Sequence, residues 1–84
     1  MADKKKVGII FTYFSKIGVA GIRLTDGDLT VGDQISIEGH TTNLTQGVDS
    51  LQMEHGTVDV AKKGDEVGIK VADRVRNHDI VYKI

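Results

Sequence analysis

Two stretches decide the fold: Leu29-Thr30-Val31-Gly32-Asp33-Gln34-Ile35, and Ala61-Lys62-Lys63-Gly64-Asp65-Glu66-Val67-Gly68-Ile69. In each, Gly-Asp stands just before an alternating aliphatic run. The glycine can take positive φ, the aspartate can accept from nearby backbone amides, and the chain turns into a strand. After the first corner Ile35 and Ile37 alternate with Gln34, Ser36 and Glu38. After the second, Val67, Ile69 and Val71 alternate with Gly68 and Lys70. A period of two is the mark of a half-buried strand. Asn77-His78-Asp79, ahead of Ile80-Val81-Tyr82, repeats the corner with histidine in place of glycine, so either His78 or Asn77 takes the left-handed conformation.

The same reading extends along the chain. Val7 to Phe14 is β-rich, Ser15-Lys16 is a tight connection, and Ala20, Ile22 and Leu24 alternate with Gly21 and Arg23, so the pair reads as a hairpin. Asp26-Gly27-Asp28 is a turn, and Leu29 and Val31 anchor the segment that follows it. Leu44 to His55 reads as one long extended piece. Val48 and Leu51 are three apart where alternation asks for two, which predicts a β-bulge between them. Gly47, Thr42 and Thr45 weigh against a helix there. Asp59 to Lys63 is read as one helical turn, and Val75 as an inward anchor in the polar connection 72–76.

Six or seven short strands with no long amphipathic run predict an all-β domain. Closure into a small barrel removes edges that a chain of 84 residues can ill protect. The expected organisation is a disordered basic tail over 1–6 and one β-barrel domain over 7–84. There is no cysteine to cross-link it, and aromatics are 5% of the composition, so the core must be Val, Ile and Leu. Eleven basic against 12 acidic side chains give a net charge of −1, without the basic excess usual in a dedicated nucleic-acid binder. No apolar run approaches the roughly 20 residues that cross a bilayer, and no signal-peptide pattern follows the charged start. The expectation is a cytoplasmic domain without a membrane role.

The residues quoted above, with Val48-Asp49-Ser50-Leu51-Gln52-Met53 and Asp79-Ile80-Val81-Tyr82, resemble in order and spacing the second domain of elongation factor Tu and its relatives. The resemblance covers about residues 7 to 84. It extends to small stand-alone elongation-factor-like proteins and to the C-terminal barrels of collagenase-like peptidases. It implies a six-stranded Greek-key-like barrel of the translation-protein domain II type, in line with the closed six- to seven-stranded barrel read from the residues. It also implies a non-catalytic binding module that docks on RNA or a ribonucleoprotein, since in the GTPases this barrel helps to hold the acceptor end of aminoacyl-tRNA. The alternative is a protein–protein adaptor acting in trans with a separately encoded GTPase or peptidase. The chain lacks a G-x-x-x-x-G-K-[ST] phosphate loop, so it hydrolyses no nucleotide by itself.

Chemistry-bearing residues form no catalytic pattern. His40, His55 and His78 lie 15 and 23 residues apart, a spacing that matches no compact metal motif, so no metal or other cofactor is expected. Asp26 and Asp28 lack the rest of a calcium loop. Ser15, Ser36 and Ser50 have no histidine-and-acid pattern around them, and no enzyme is expected. The polar stretch His40, Thr41, Thr42 and Asn43, with Gln52 and His55 beside it, is the candidate recognition surface, because loops on a rigid barrel commonly carry binding. Lys62 and Lys63 are candidate phosphate contacts, within a basic set that adds Lys16, Arg23, Lys70, Arg74 and Arg76. Tyr13, Phe14 and Tyr82 are read mainly as packing residues and secondarily as surfaces on which bases could stack.

Overall fold

A computed structural model describes residues 4–54 and 56–84. Every regular element among them is a strand: β1 (Lys5–Phe14), β2 (Val19–Leu24), β3 (Leu29–Thr30), β4 (Gln34–Glu38), β5 (Asn43–Gly47), β6 (Leu51–Met53), β7 (Gly56–Val58), β8 (Val60–Ala61), β9 (Glu66–Lys70) and β10 (Ile80–Lys83). Eight form one antiparallel sheet in the order β5-β4-β10-β1-β2-β9-β6-β7, and β3 pairs with β8 as a separate ribbon. Lys5 and Lys6, placed by sequence in the tail, begin β1 opposite Lys83 and Tyr82. No helix among the described residues is long and apolar enough to cross a membrane.

The expected all-β class holds, but hydrogen-bonded closure of a barrel is not found among the described residues. β5 and β7 are the free ends of the ladder order. The chain itself joins the β5 end to β6, next to the other end. β5 pairs with β4 as far as Gly47 opposite Gln34, and Val48 donates to the Asp33 carbonyl at 2.8 Å. Residues 48–50 then carry the backbone across to β6, where Gln52 stands opposite Gly68 of β9. The phase break between Val48 and Leu51 is therefore a change of partner strand, not a bulge within one ladder. Both residues still point inward, at 2% and 0% exposure. The helical turn expected over 59–63 is also absent. Val60 and Ala61 form β8 against Thr30 and Leu29, so a distant partner overrides the local preference.

One cluster of aliphatic side chains fills the interior, with Ile10, Ile22, Leu29, Ile35, Ile37 and Leu51 at its centre. Full burial of each such side chain stabilises the fold by about 1.5–3 kcal/mol. The aliphatic positions read as inward in β2 and β4, Ala20, Ile22, Leu24, Ile35 and Ile37, are buried and Arg23 is exposed, but Gly21 and Ser36, on the opposite face, are buried as well. Val75 is buried as expected, whereas Val31, expected to anchor its segment, is 38% exposed.

The three corners share one geometry. Asp33, Asp65 and Asp79 each accept, through Oδ2, from the backbone N–H three residues earlier: Thr30 at 2.9 Å, Lys62 at 2.9 Å and Arg76 at 2.8 Å. Each aspartate N–H in turn donates to the carbonyl of that same residue. The residue before each aspartate is left-handed: Gly32 at φ 97°, Gly64 at φ 97° and His78 at φ 73°. Histidine thus takes the role glycine has at the other two corners. A left-handed non-glycine residue costs about 1–2 kcal/mol, part of which glycine gives back in backbone entropy. His78→Gly should therefore raise stability by about 0.5–1 kcal/mol and thermal unfolding by a few degrees. A lower midpoint in a calorimetric scan would show that the imidazole, not the φ angle, decides the effect.

Candidate functional site

His40, Thr41, Thr42 and Asn43 do lie together. They form the turn between β4 and β5, closed by the Gly39 N–H on the Thr42 carbonyl at 2.9 Å and by Glu38 pairing with Asn43. They line an open hollow of about 430 Å³ with Glu38 and Gly39. Thr42 is buried, while the other three side chains are exposed. Beside the turn, Glu38 accepts from Lys4 Nζ at 2.6 Å and from Ser36 Oγ at 2.8 Å. The Lys4 bond first and the Ser36 bond second hold its carboxyl below the usual carboxylate range, so it stays ionised and is not suited to proton transfer near neutral pH.

The remaining candidates lie elsewhere. Gln52 is exposed on β6 and lines a separate hollow of about 250 Å³ with Ile17, Val19, Ser50 and Lys70. His55 lies outside the described residues. Lys62 and Lys63 are exposed in the turn between β8 and β9, where the Lys63 N–H donates to Asp28 Oδ1 at 2.8 Å. Asp28 thus serves the turn, and Asp26 accepts from Thr25 Oγ1 at 2.5 Å. Among the described residues no three His, Cys, Asp or Glu side chains gather as a metal set.

Most of the basic candidates lie near the two ends of β2, while Arg76 lies at the third corner, its N–H donating to Asp79 Oδ2. Arg23 is taken up by Glu66 at 2.7 Å. Lys62 and Lys63 lie at the Leu24 end, where the Leu24 N–H donates to the Asp65 carbonyl and Leu24 accepts from Gly64. Lys16 and Lys70 lie at the Val19 end, where Val71 donates to the Gly18 carbonyl and Val19 pairs with Lys70, and Arg74 follows shortly along the chain. Of the aromatic side chains, Tyr13 packs against the core, and Lys4 lies over the Tyr82 ring, 5.5 Å from its centroid. Phe14, read mainly as packing, is 53% exposed at the tip of the β1–β2 hairpin beside Ile17 at 63%.

Sequence reading missed the seam where the chain crosses between the sheet ends. There a hollow of about 330 Å³ is lined by Gln46, Gly47, Asp49, Lys70, Val71 and Ala72, and it adjoins the Gln52 hollow through Lys70. The Gln46 side-chain amide spans the seam. Nε2 donates to the Lys70 carbonyl at 2.8 Å, and Oε1 accepts from the Ala72 N–H at 2.8 Å. Nothing in the string Thr45-Gln46-Gly47 signals a bond to residues more than twenty positions away. The open seam and the exposed hairpin tip lie on either side of Lys70.

Comparison with known proteins agrees with this architecture. The chain is 40% identical over 82 residues to a collagenase of Porphyromonas gingivalis, a match covering 96% of this chain and 23% of that protein. It is 41% identical over 80 residues to an uncharacterized protease of Methanocaldococcus jannaschii, covering 94% and 19% respectively. The chain thus spans about a fifth to a quarter of the length of these relatives. It superposes on the C-terminal domain of a Geobacillus thermoleovorans protein assigned to the U32 peptidases, with a TM-score of 0.87 over 95% of this chain and 92% of that one. At 22% identity that match speaks for the fold. Residues 18–77 match the family model of elongation factor Tu domain 2. The chain belongs to the elongation factor Tu domain 2 family.

Proposed function

We propose that this chain is a non-catalytic docking module whose partner is a protein, a cytoplasmic peptidase of the collagenase-like kind. The observation that carries the reading is the pattern of likeness. The chain matches proteases at 40–41% identity, yet over only 19–23% of their length. A unit of that size within a peptidase is an accessory part, and its surface can meet the peptidase body whether joined to it or apart from it. The surface supports a protein partner. The hairpin tip offers Phe14 and Ile17 exposed, and the seam beside it carries both Lys70 and Asp49. Exposed aromatic and aliphatic anchors with a mixed polar rim are the anatomy of protein interfaces.

A second reading is favoured by the family match, which points to docking on RNA or a ribonucleoprotein through Lys16, Lys70 and Arg74. One experiment separates the two. The purified chain is mixed with a collagenase-like peptidase trimmed of its own barrel, and separately with tRNA, and affinity is measured from low to moderate salt. Protein docking predicts a complex with the peptidase that survives nuclease. RNA docking predicts tRNA affinity that falls steeply as salt rises, one power of concentration for roughly each phosphate contact. A chain that binds neither at low salt sinks both readings.

A further inference from the structure

We propose that the seam is a strand-addition site: an extended peptide segment of a protein partner lies along Lys70–Ala72 and displaces the Gln46 side chain. The proposal rests on the protein-docking reading above and names how the contact is made. One edge of β9 is fully used by β2, from Val19 opposite Lys70 to Arg23 opposite Glu66. The other edge pairs with β6 only where Gln52 faces Gly68. Beyond that point, among the described residues, the backbone facing the seam meets a side chain: Gln46 holds the Lys70 carbonyl and the Ala72 N–H. These two groups flank Val71. In a parallel ladder, a single residue's N–H and C=O bond to the two residues flanking its partner, so the side-chain amide stands here where one residue of a parallel strand would present its N–H and C=O. Across the same hollow, β5 is itself an unpaired edge.

The chemistry of the seam selects a peptide. What it offers is a backbone acceptor and donor, which the N–H and C=O of one strand residue match, so exchange of Gln46 for that residue conserves the two bonds to Lys70 and Ala72. No aromatic ring is among the lining residues to stack a base, and Asp49 sets a carboxylate there that opposes phosphate. Lys70 at the junction with the neighbouring hollow favours an acidic side chain on the incoming segment, and Ile17 and Val19 in that hollow favour an apolar one next to it.

The test uses isotope-labelled chain, read by NMR at the Ala72 amide and the Gln46 side-chain amide, with Gln46→Ala as the variant. Three probes are added in turn: a capped hexapeptide alternating valine and glutamate, the trimmed peptidase, and oligoadenylate. In the free variant the Ala72 amide should exchange faster than in the parent. The hexapeptide should reprotect it and bind roughly three- to tenfold more tightly than to the parent, the ratio that one net hydrogen bond carries. In the parent, the Gln46 amide signal should move as it is displaced, which keeps the test valid even if the variant folds poorly. A peptidase complex that leaves both signals unmoved overturns the strand-addition site while the docking reading stands. A hexapeptide that protects Ala72 without any peptidase complex supports the site and removes the peptidase. Oligoadenylate moving these signals where the peptide does not overturns the proposal in favour of a base.

Discussion

Replacing Ile22 with alanine is expected to lower the free energy of unfolding by about 3–4 kcal/mol, within the range for truncating a fully buried aliphatic side chain. Ile22 is 0% exposed and lies on β2 opposite Ile10 of β1 on one side and Val67 of β9 on the other. Because both neighbouring strands hold β2 by its backbone, the sheet cannot close over the missing carbons and a cavity remains. A domain of this length has a total stability of roughly 4–13 kcal/mol, so the loss is a large share of it. Urea denaturation followed by circular dichroism checks it: the midpoint should fall while the slope holds. A loss below about 1 kcal/mol would mean that the site collapses and that the centre of the core lies elsewhere.

Gly8→Ala should cost about 3 kcal/mol, at the upper end for overpacking. Gly8 faces Leu24 on one side of β1 and Val81 on the other, where the register against β10 slips. A methyl group there collides with the Arg23 carbonyl oxygen and comes within 3.0 Å of Ile22 Cγ2. The first obstacle is backbone of a central strand, which cannot rotate away as a side chain would. Gly47→Ala is the comparison: its nearest neighbour, the Gln34 side chain, is 3.8 Å away, and its stability should stay within about 0.5 kcal/mol of the parent. Equal midpoints for the two variants in the same urea titration would show that the close approach at Gly8 is not what sets the strand spacing.

What the sequence made legible was local. The corners at Asp33 and Asp65 are each decided within four residues, and the aspartate bonds there are those that turn chemistry predicts. The third corner was readable in kind, though only the backbone chose His78 over Asn77 for the left-handed position. The aliphatic alternation of β2 and β4 named their inward residues because period two survives whatever the partner strand is. The errors lie where partners are distant. Val60 and Ala61 owe their extended form to Leu29 and Thr30, and the phase slip after Val48 marks a switch from β4 to β9. The candidate surface fared likewise: the β4–β5 turn was visible as a polar loop, whereas Gln46 acquires its meaning only from Lys70 and Ala72.

The crossing at residues 48–50 has a mechanical meaning. A sheet whose free ends were held by hydrogen bonds alone could open there strand by strand. Here the β5 end is tied by covalent backbone to β6, next to the other end, with Val48 and Leu51 driven into the interior on either side. Opening the crossing drags an aliphatic side chain into water, which couples the strands on its two sides.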